Sequence, residues 1–147
     1  ALDRDGAPAA DILNKPGRLT DEEYRHIMTH PLVGWRILAP LMSDAPIALN
    51  VVRSHHERMD GRGVPDGIVG DAIPLEARIV AVADAFDAMM SGRPYHDREI
   101  QLDDAIRELE ANAGTQFDPL VVDAALTAIR NGDLRVIAKR PRLAVSV

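Results

Sequence analysis

The stretch from His55 to Gly67, HHERMDGRGVPDG, constrains this chain more than any other. Two adjacent imidazoles, a glutamate and an aspartate are followed or interleaved by Gly61, Gly63, Pro65 and Gly67. Glycine tolerates the left-handed backbone that stops a helix, and proline lacks the N–H that a helix interior needs. The stretch is therefore a shaped loop that follows a helix end. Adjacent helical residues point about 100° apart, so His55 and His56 can converge on one site only near such an end, or by serving two neighbouring ions. It reads as a candidate metal site and its rim.

Composition narrows what surrounds it. A chain of 147 residues suffices for one domain with a real core. Aromatic residues make up only 3%, so the core must be built from Leu, Ile, Val, Ala and Met, which favours packed helices. With no cysteine, disulfides, zinc ribbons and thiol catalysis are excluded, and a metal must be held by His, Asp and Glu. That usage agrees with a reducing, cytoplasmic setting. No apolar run approaches the ~20 residues of a membrane span, so no membrane segment is expected in this chain. The net charge of -6 argues against long nucleic acid as a partner. A small phosphate ligand stays admissible, because bound divalent cations reverse the local field. The chain opens on alanine, which suggests a fragment of a longer protein.

Capping signals divide the chain. Residues 1–19 read as a lead-in loop, 20–132 as a helical domain, and 133–147 as a tail with strand-like fragments such as Leu134 to Ile137. Thr20-Asp21-Glu22-Glu23 is a capping box that starts a helix running to about Thr29. Pro31 ends it or starts the next, which runs to about Leu41. A helix opened at Pro46 carries the His pair at its C-terminal end. Pro74 opens the most apolar helix, ending near Gly92, with Asp84 and Asp87 three apart on one face. Leu102 to Asn112 is amphipathic and stops at Gly114. Asp118-Pro119 is an N-cap followed by proline, starting a helix that stops at Gly132.

His30, His55, His56 and Asp84 stand out as metal ligands. An aspartate buried within an apolar helix is costly unless a cation or hydrogen-bond donors meet it. Asp84 therefore meets a metal or pairs with an arginine such as Arg78 or Arg93. His30 either serves the metal or caps the end of the preceding helix. His26 lies one turn before His30 but lacks the adjacent glutamate of an HExxH pair, so it reads as surface. For the His55-His56 pair, a two-metal cluster of the kind that hydrolyses phosphodiesters competes with one core and one exposed imidazole.

HHERMDGRGVPDG resembles the signature HHExxDGxGYP of the HD-GYP family, a branch of the HD phosphohydrolases whose known members hydrolyse cyclic di-GMP. Other segments agree in the same order: ILNKPG, THPLVGWRIL, IPLEARIVAVADAFDAM, RPY and GTQFDP. The resemblance implies an all-α, HD-domain-like helical bundle whose N-terminal helices are missing here. It implies metal ligation by His30, His55, His56 and Asp84, with iron or manganese in a two- or three-metal centre. Arg93 matches a family position that contacts substrate phosphate, and His96 stands where many members carry Lys or Arg. Glu57, Asp60, Gly61, Gly63, Val64 and Pro65 form the signature loop. The expected product is linear pGpG, with further cleavage to GMP.

Departures from the pattern matter too. Counting back from ILNKPG places the family's His-Asp pair on Ala1 and Leu2, which bind no metal, and Val64 replaces the signature tyrosine. Two readings follow. One is a cyclic di-GMP phosphodiesterase, impaired by the missing pair. The other is a degenerate domain that binds cyclic di-GMP or a protein partner without cutting. A general HD phosphohydrolase acting on another nucleotide is a third. Absent helices would leave apolar surface exposed, which points to a homodimer or a signalling protein partner.

Overall fold

The computed structural model describes residues 20–91 and 98–133. These residues form α1 (Asp21–Ile27), α2 (His30–Leu38), α3 (Pro46–Ser54), a 3-10 turn (Gly70–Ala72), α4 (Leu75–Ser91), α5 (Arg98–Ala111) and α6 (Pro119–Arg130). The only β pairing among them is an isolated bridge between Ala113 and Phe117, so the fold is all-α. The predicted tail strand from Leu134 lies outside the described residues, as do Arg93 and His96.

The predicted caps form. Thr20 accepts a hydrogen bond from the Glu23 N–H, and the Glu23 carboxylate accepts one from the Thr20 N–H. Asp118 accepts from the Leu120 N–H at the start of α6, whose end is marked by Gly132 at φ 73°. One expectation is corrected: the helix predicted from Leu102 begins at Arg98. His30 is the first residue of α2, because proline fits the first turn of a helix and Pro31 takes that place, and its Nδ1 also caps the end of α1 at the Ile27 carbonyl, 2.8 Å away.

The core lies where α4, α5 and α6 meet: Val82, Leu109, Phe117, Val122 and Leu126 are buried there, flanked by Phe86, Met89, Ile106 and Ile129. Helix α4 also packs on α3, which in turn packs on α2. That central place agrees with its apolar sequence. One edge stays open, with Leu75 and Ile79 about half exposed. An ion pair ties α4 to α6: the Arg78 guanidinium donates to Asp118 at 2.7 Å, both side chains being well buried, and to exposed Asp71 at 2.9 Å. Arg78 is thereby committed to partners other than Asp84.

Candidate metal centre

Helix α3 stops at Ser54, and His55 follows as its C-cap. His56 is the next residue, so both imidazoles leave the helix where the backbone turns. His30, at the first turn of α2, meets them across the α2–α3 packing. Ring centroids are 4.2 Å apart for His55 and His56, 4.9 Å for His30 and His56, and 5.1 Å for His30 and His55. One candidate ligand atom from each of the three rings lies within 4.8 Å of the others.

Backbone carbonyls fix two of the rings. His30 Nδ1 lies 2.8 Å from the Ile27 carbonyl oxygen, and His55 Nδ1 lies 2.9 Å from that of Val51. A carbonyl only accepts, so each Nδ1 carries the proton and each neutral ring keeps its lone pair on Nε2. Those Nε2 atoms face each other at 3.1 Å. Two lone pairs at that distance repel unless a cation lies between them. Two imidazole nitrogens bound to one ion at a right angle, with bonds of about 2.1 Å, stand about 3 Å apart. The donor set therefore fits a transition metal, and the Nδ1 contacts supply the outer hydrogen bonds that orient metal-binding histidines.

His56 is half-buried, and its pKa is lowered to about 4. Burial is the main cause, followed by the neighbouring charges of His55 and His30, with Asp84 acting in the opposite sense. The ring is thus neutral at physiological pH, as a ligand must be.

Asp84 corrects an expectation. It was expected to be buried in an apolar helix, yet it is exposed, because the face of α4 that carries it turns away from the three-helix core toward solvent. It stands outside the three-histidine group but lines the same cleft as His55 and His56, a space of ≈ 360 Å³. The burial argument for a cation at Asp84 falls; its place in the cleft remains.

The loop beyond His56 holds itself by acidic side chains that face inward. Glu57 is only 4% exposed, and its carboxylate accepts from the backbone N–H groups of Asp66 at 2.6 Å and of Gly67 and Ile68 at 3.2 Å each. Asp60 takes a two-pronged bond from Arg58, at 2.7 and 3.0 Å, and accepts from the Arg62 N–H. These partners hold the Asp60 carboxyl down at about 2. A Cβ on Gly63 would stand 2.4 Å from both the Glu57 Cα and the Arg58 nitrogen, so only glycine lets the loop cross there. Gly61 occupies the left-handed region at φ 76°. The loop docks on the turn before α6 through Asp60 N–H to the Thr115 carbonyl and Arg58 to the Gln116 side chain. Val64 lines the cleft, and its N–H bonds the His56 carbonyl at 3.2 Å; Pro65 follows it.

Sequence reasoning missed a brace behind the site. Arg53 lies over the Trp35 ring, 4.7 Å from its centroid, and donates two 2.8 Å bonds to Asp66. This stack joins α2, α3 and the loop. It also missed Tyr24 and Arg62, which line the cleft. The spacing of Tyr24 and Met28, both cleft residues, is the signal that could have found that wall.

Comparisons with known proteins agree with this architecture. The family model described as HD domain matches residues 7–121. The chain is 47% identical over 116 residues to the cyclic di-GMP phosphodiesterase response regulator RpfG of Xanthomonas campestris pv. campestris, covering 78% of this chain and 30% of that protein. It is 45% identical over 118 residues to a cyclic di-GMP phosphodiesterase of Thermotoga maritima, covering 78% and 31%. The chain thus spans about a third of the length of the curated relatives it matches. In fold it is similar to a solved cyclic GMP-AMP-specific phosphodiesterase of Vibrio cholerae, with a TM-score of 0.61 and 19% identity over 84% of this chain and 32% of that one. The chain belongs to the HD domain family.

Proposed function

We propose that this chain is part of a metal-dependent phosphodiesterase of the HD-GYP branch that hydrolyses cyclic di-GMP to linear pGpG. The observation that carries the reading is the pair of Nε2 atoms of His30 and His55, facing each other at 3.1 Å with both Nδ1 protons held by carbonyls. Relatives named as cyclic di-GMP phosphodiesterases support the substrate.

In this reading His30, His55 and His56 hold the metal, and Asp84 on α4, which lines the same cleft, adds a carboxylate. The imidazole donors suit iron among other transition metals, the Asp84 carboxylate admits manganese, and the choice of these two metals rests on the resemblance to the HD-GYP family. A divalent metal bound there supplies charge neutralisation at the phosphate and a nucleophile from water at neutral pH. The carbonyl of Ile27 keeps the His30 ring turned toward His55, and the carbonyl of Val51 does the same for His55. Glu57 keeps its charge inside the loop, so the loop holds the cleft wall without competing for the ion. Arg93 and His96 remain proposed phosphate contacts. The chemistry belongs to the cytoplasm, and no helix among the described residues is long and apolar enough to cross a membrane. Exposed Ile37 and Leu41 on and after α2 support contact with a second copy or a signalling partner.

The test is hydrolysis of cyclic di-GMP by manganese- or iron-loaded protein, with metal content measured on the same sample. Production of pGpG by the wild type, lost in His55→Ala together with the metal, supports the reading. Metal-replete protein that binds cyclic di-GMP and leaves it intact favours the non-catalytic binding domain instead.

A further inference from the structure

The His cleft contains two side chains that metal chemistry does not use. Tyr24, on α1, lines it with 55% of its surface exposed. The other benzenoid ring in the lining, Phe117, is 4% exposed and belongs to the core, so Tyr24 is the accessible aromatic face. Arg62, on the signature loop, is exposed and lines the same cleft.

The cations of the cleft differ in availability. Arg58 is committed to Asp60 and to Gln116. Arg62 contributes its backbone N–H to Asp60, while its guanidinium has no hydrogen bond or ion pair among the described residues. The Asp60 carboxylate feels the Arg62 charge, but its two-pronged side-chain bonds go to Arg58. Arg62 thus presents its donors to the cleft from a backbone fixed by Asp60 and by glycine on either side, Gly61 and Gly63. A free guanidinium recognises phosphate, and an exposed ring at the edge of a nucleotide-sized cleft recognises a base face.

We infer that Tyr24 and Arg62 form a nucleotide grip beside the histidine cluster, Tyr24 stacking on a purine base and Arg62 pairing with the phosphate that is not at the histidines. The inference rests on the phosphodiesterase reading and deepens it. A cyclic dinucleotide has two phosphates and two bases. With one phosphate at the histidines, the second phosphate and a base must be met by other groups of the cleft. Tyr24 comes from α1 and Arg62 from the loop, so they approach from separate segments and hold separate parts of the ligand.

Equilibrium binding to manganese-loaded protein tests the grip with three probes: ribose 5-phosphate, GMP and pGpG. The first carries a phosphate without a base, the second adds the base, and the third adds a second nucleotide with its phosphate, whose contribution the Arg62 variant isolates. Wild type is expected to bind them in that order of increasing affinity. Tyr24→Leu should weaken GMP and pGpG about tenfold while leaving ribose 5-phosphate unchanged, and Tyr24→Phe should restore both. Arg62→Gln should weaken pGpG about tenfold and leave GMP unchanged. Manganese content should be the same in all four proteins.

Tyr24→Leu binding GMP as tightly as wild type overturns the stacking role. Arg62→Gln binding pGpG as tightly as wild type overturns the phosphate role. Wild-type protein that takes up manganese and binds none of the probes refutes the phosphodiesterase reading itself, a result distinct from either variant outcome. Should Tyr24→Leu fail to fold, Tyr24→Gln at the same exposed position gives the same comparison.

Discussion

The Nε2 atoms of His30 and His55 point at each other across 3.1 Å while carbonyls of Ile27 and Val51 hold the opposite nitrogens. This arrangement costs electrostatic energy without a cation and gains it with one. Manganese at about 100 times its dissociation constant should therefore stabilise the fold by about 2.7 kcal/mol, a rise in Tm of roughly 10 °C for a domain of this size. A melting curve unmoved by manganese or by chelator would sink the assignment.

Removing either ring should abolish that shift. His30→Ala and His55→Ala each leave one oriented Nε2, and loss of a ligand should cost at least the ~100-fold in affinity that outer-shell losses reach. Calorimetric titration with manganese measures this directly. The two variants should be alike, because the pair acts as a unit. A His30 variant that keeps wild-type affinity would show that His55 and His56 hold the ion without it.

Glu57 is expected to act on the loop and only through it on the metal. Its carboxylate takes three backbone N–H bonds while almost wholly buried. Glu57→Ala leaves those donors without a partner, a loss of about 3 kcal/mol or more. Glu57→Gln keeps one oxygen for Asp66 and Gly67 but turns an NH2 toward the Ile68 N–H, so it should cost about half as much. Denaturant titration should rank wild type above Gln and Gln above Ala. Equal stability of the two variants would contradict the bonding described.

Gly63 and Gly70 separate two reasons for glycine. At Gly63 a Cβ would strike backbone atoms at 2.4 Å, and backbone cannot swing aside. Gly63→Ala should therefore destabilise by about 3 kcal/mol and deform the wall of the cleft. At Gly70 the added Cβ meets nothing within 4 Å, and only the positive φ of 58° is strained. Gly70→Ala should cost about 1 kcal/mol. Thermal melts of the two variants check the order.

The sequence announces this fold where local chemistry decides structure. The Thr20–Glu23 box, the Asp118-Pro119 start and the Gly132 stop depend on residues within a turn of each other, so they are visible in the letters. The C-terminal placement of His55 and His56 on α3 is equally local. Asp84 was misread because its surroundings are tertiary: the apolar run of α4 suggests burial all round, whereas α3, α5 and α6 cover only part of it. The roles of Glu57 and Arg53 were hidden for the same reason. Their partners lie nine to thirteen positions away, on the far side of a glycine loop whose path no periodicity records.

Acid should expose the burial of His56. An unfolded chain protonates this ring near its ordinary pKa of 6.5, whereas the folded chain resists protonation until about 4. Between those values the unfolded state binds more protons, so stability falls as the pH falls. Above 6.5 both states are neutral and the contribution is complete. Chelator-treated wild type should thus lose Tm steadily from pH 6.5 toward 4, and His56→Gln should show a flatter profile over that window. The carboxylates act lower: Asp60, held at about 2 by Arg58, loses its contribution only as the pH falls from its ordinary 3.8 toward that value. The two windows do not overlap, so the difference between the profiles above pH 4 isolates the imidazole. Superimposable profiles for the two proteins would mean that His56 titrates alike in both states, and that the folded site does not hold the ring neutral.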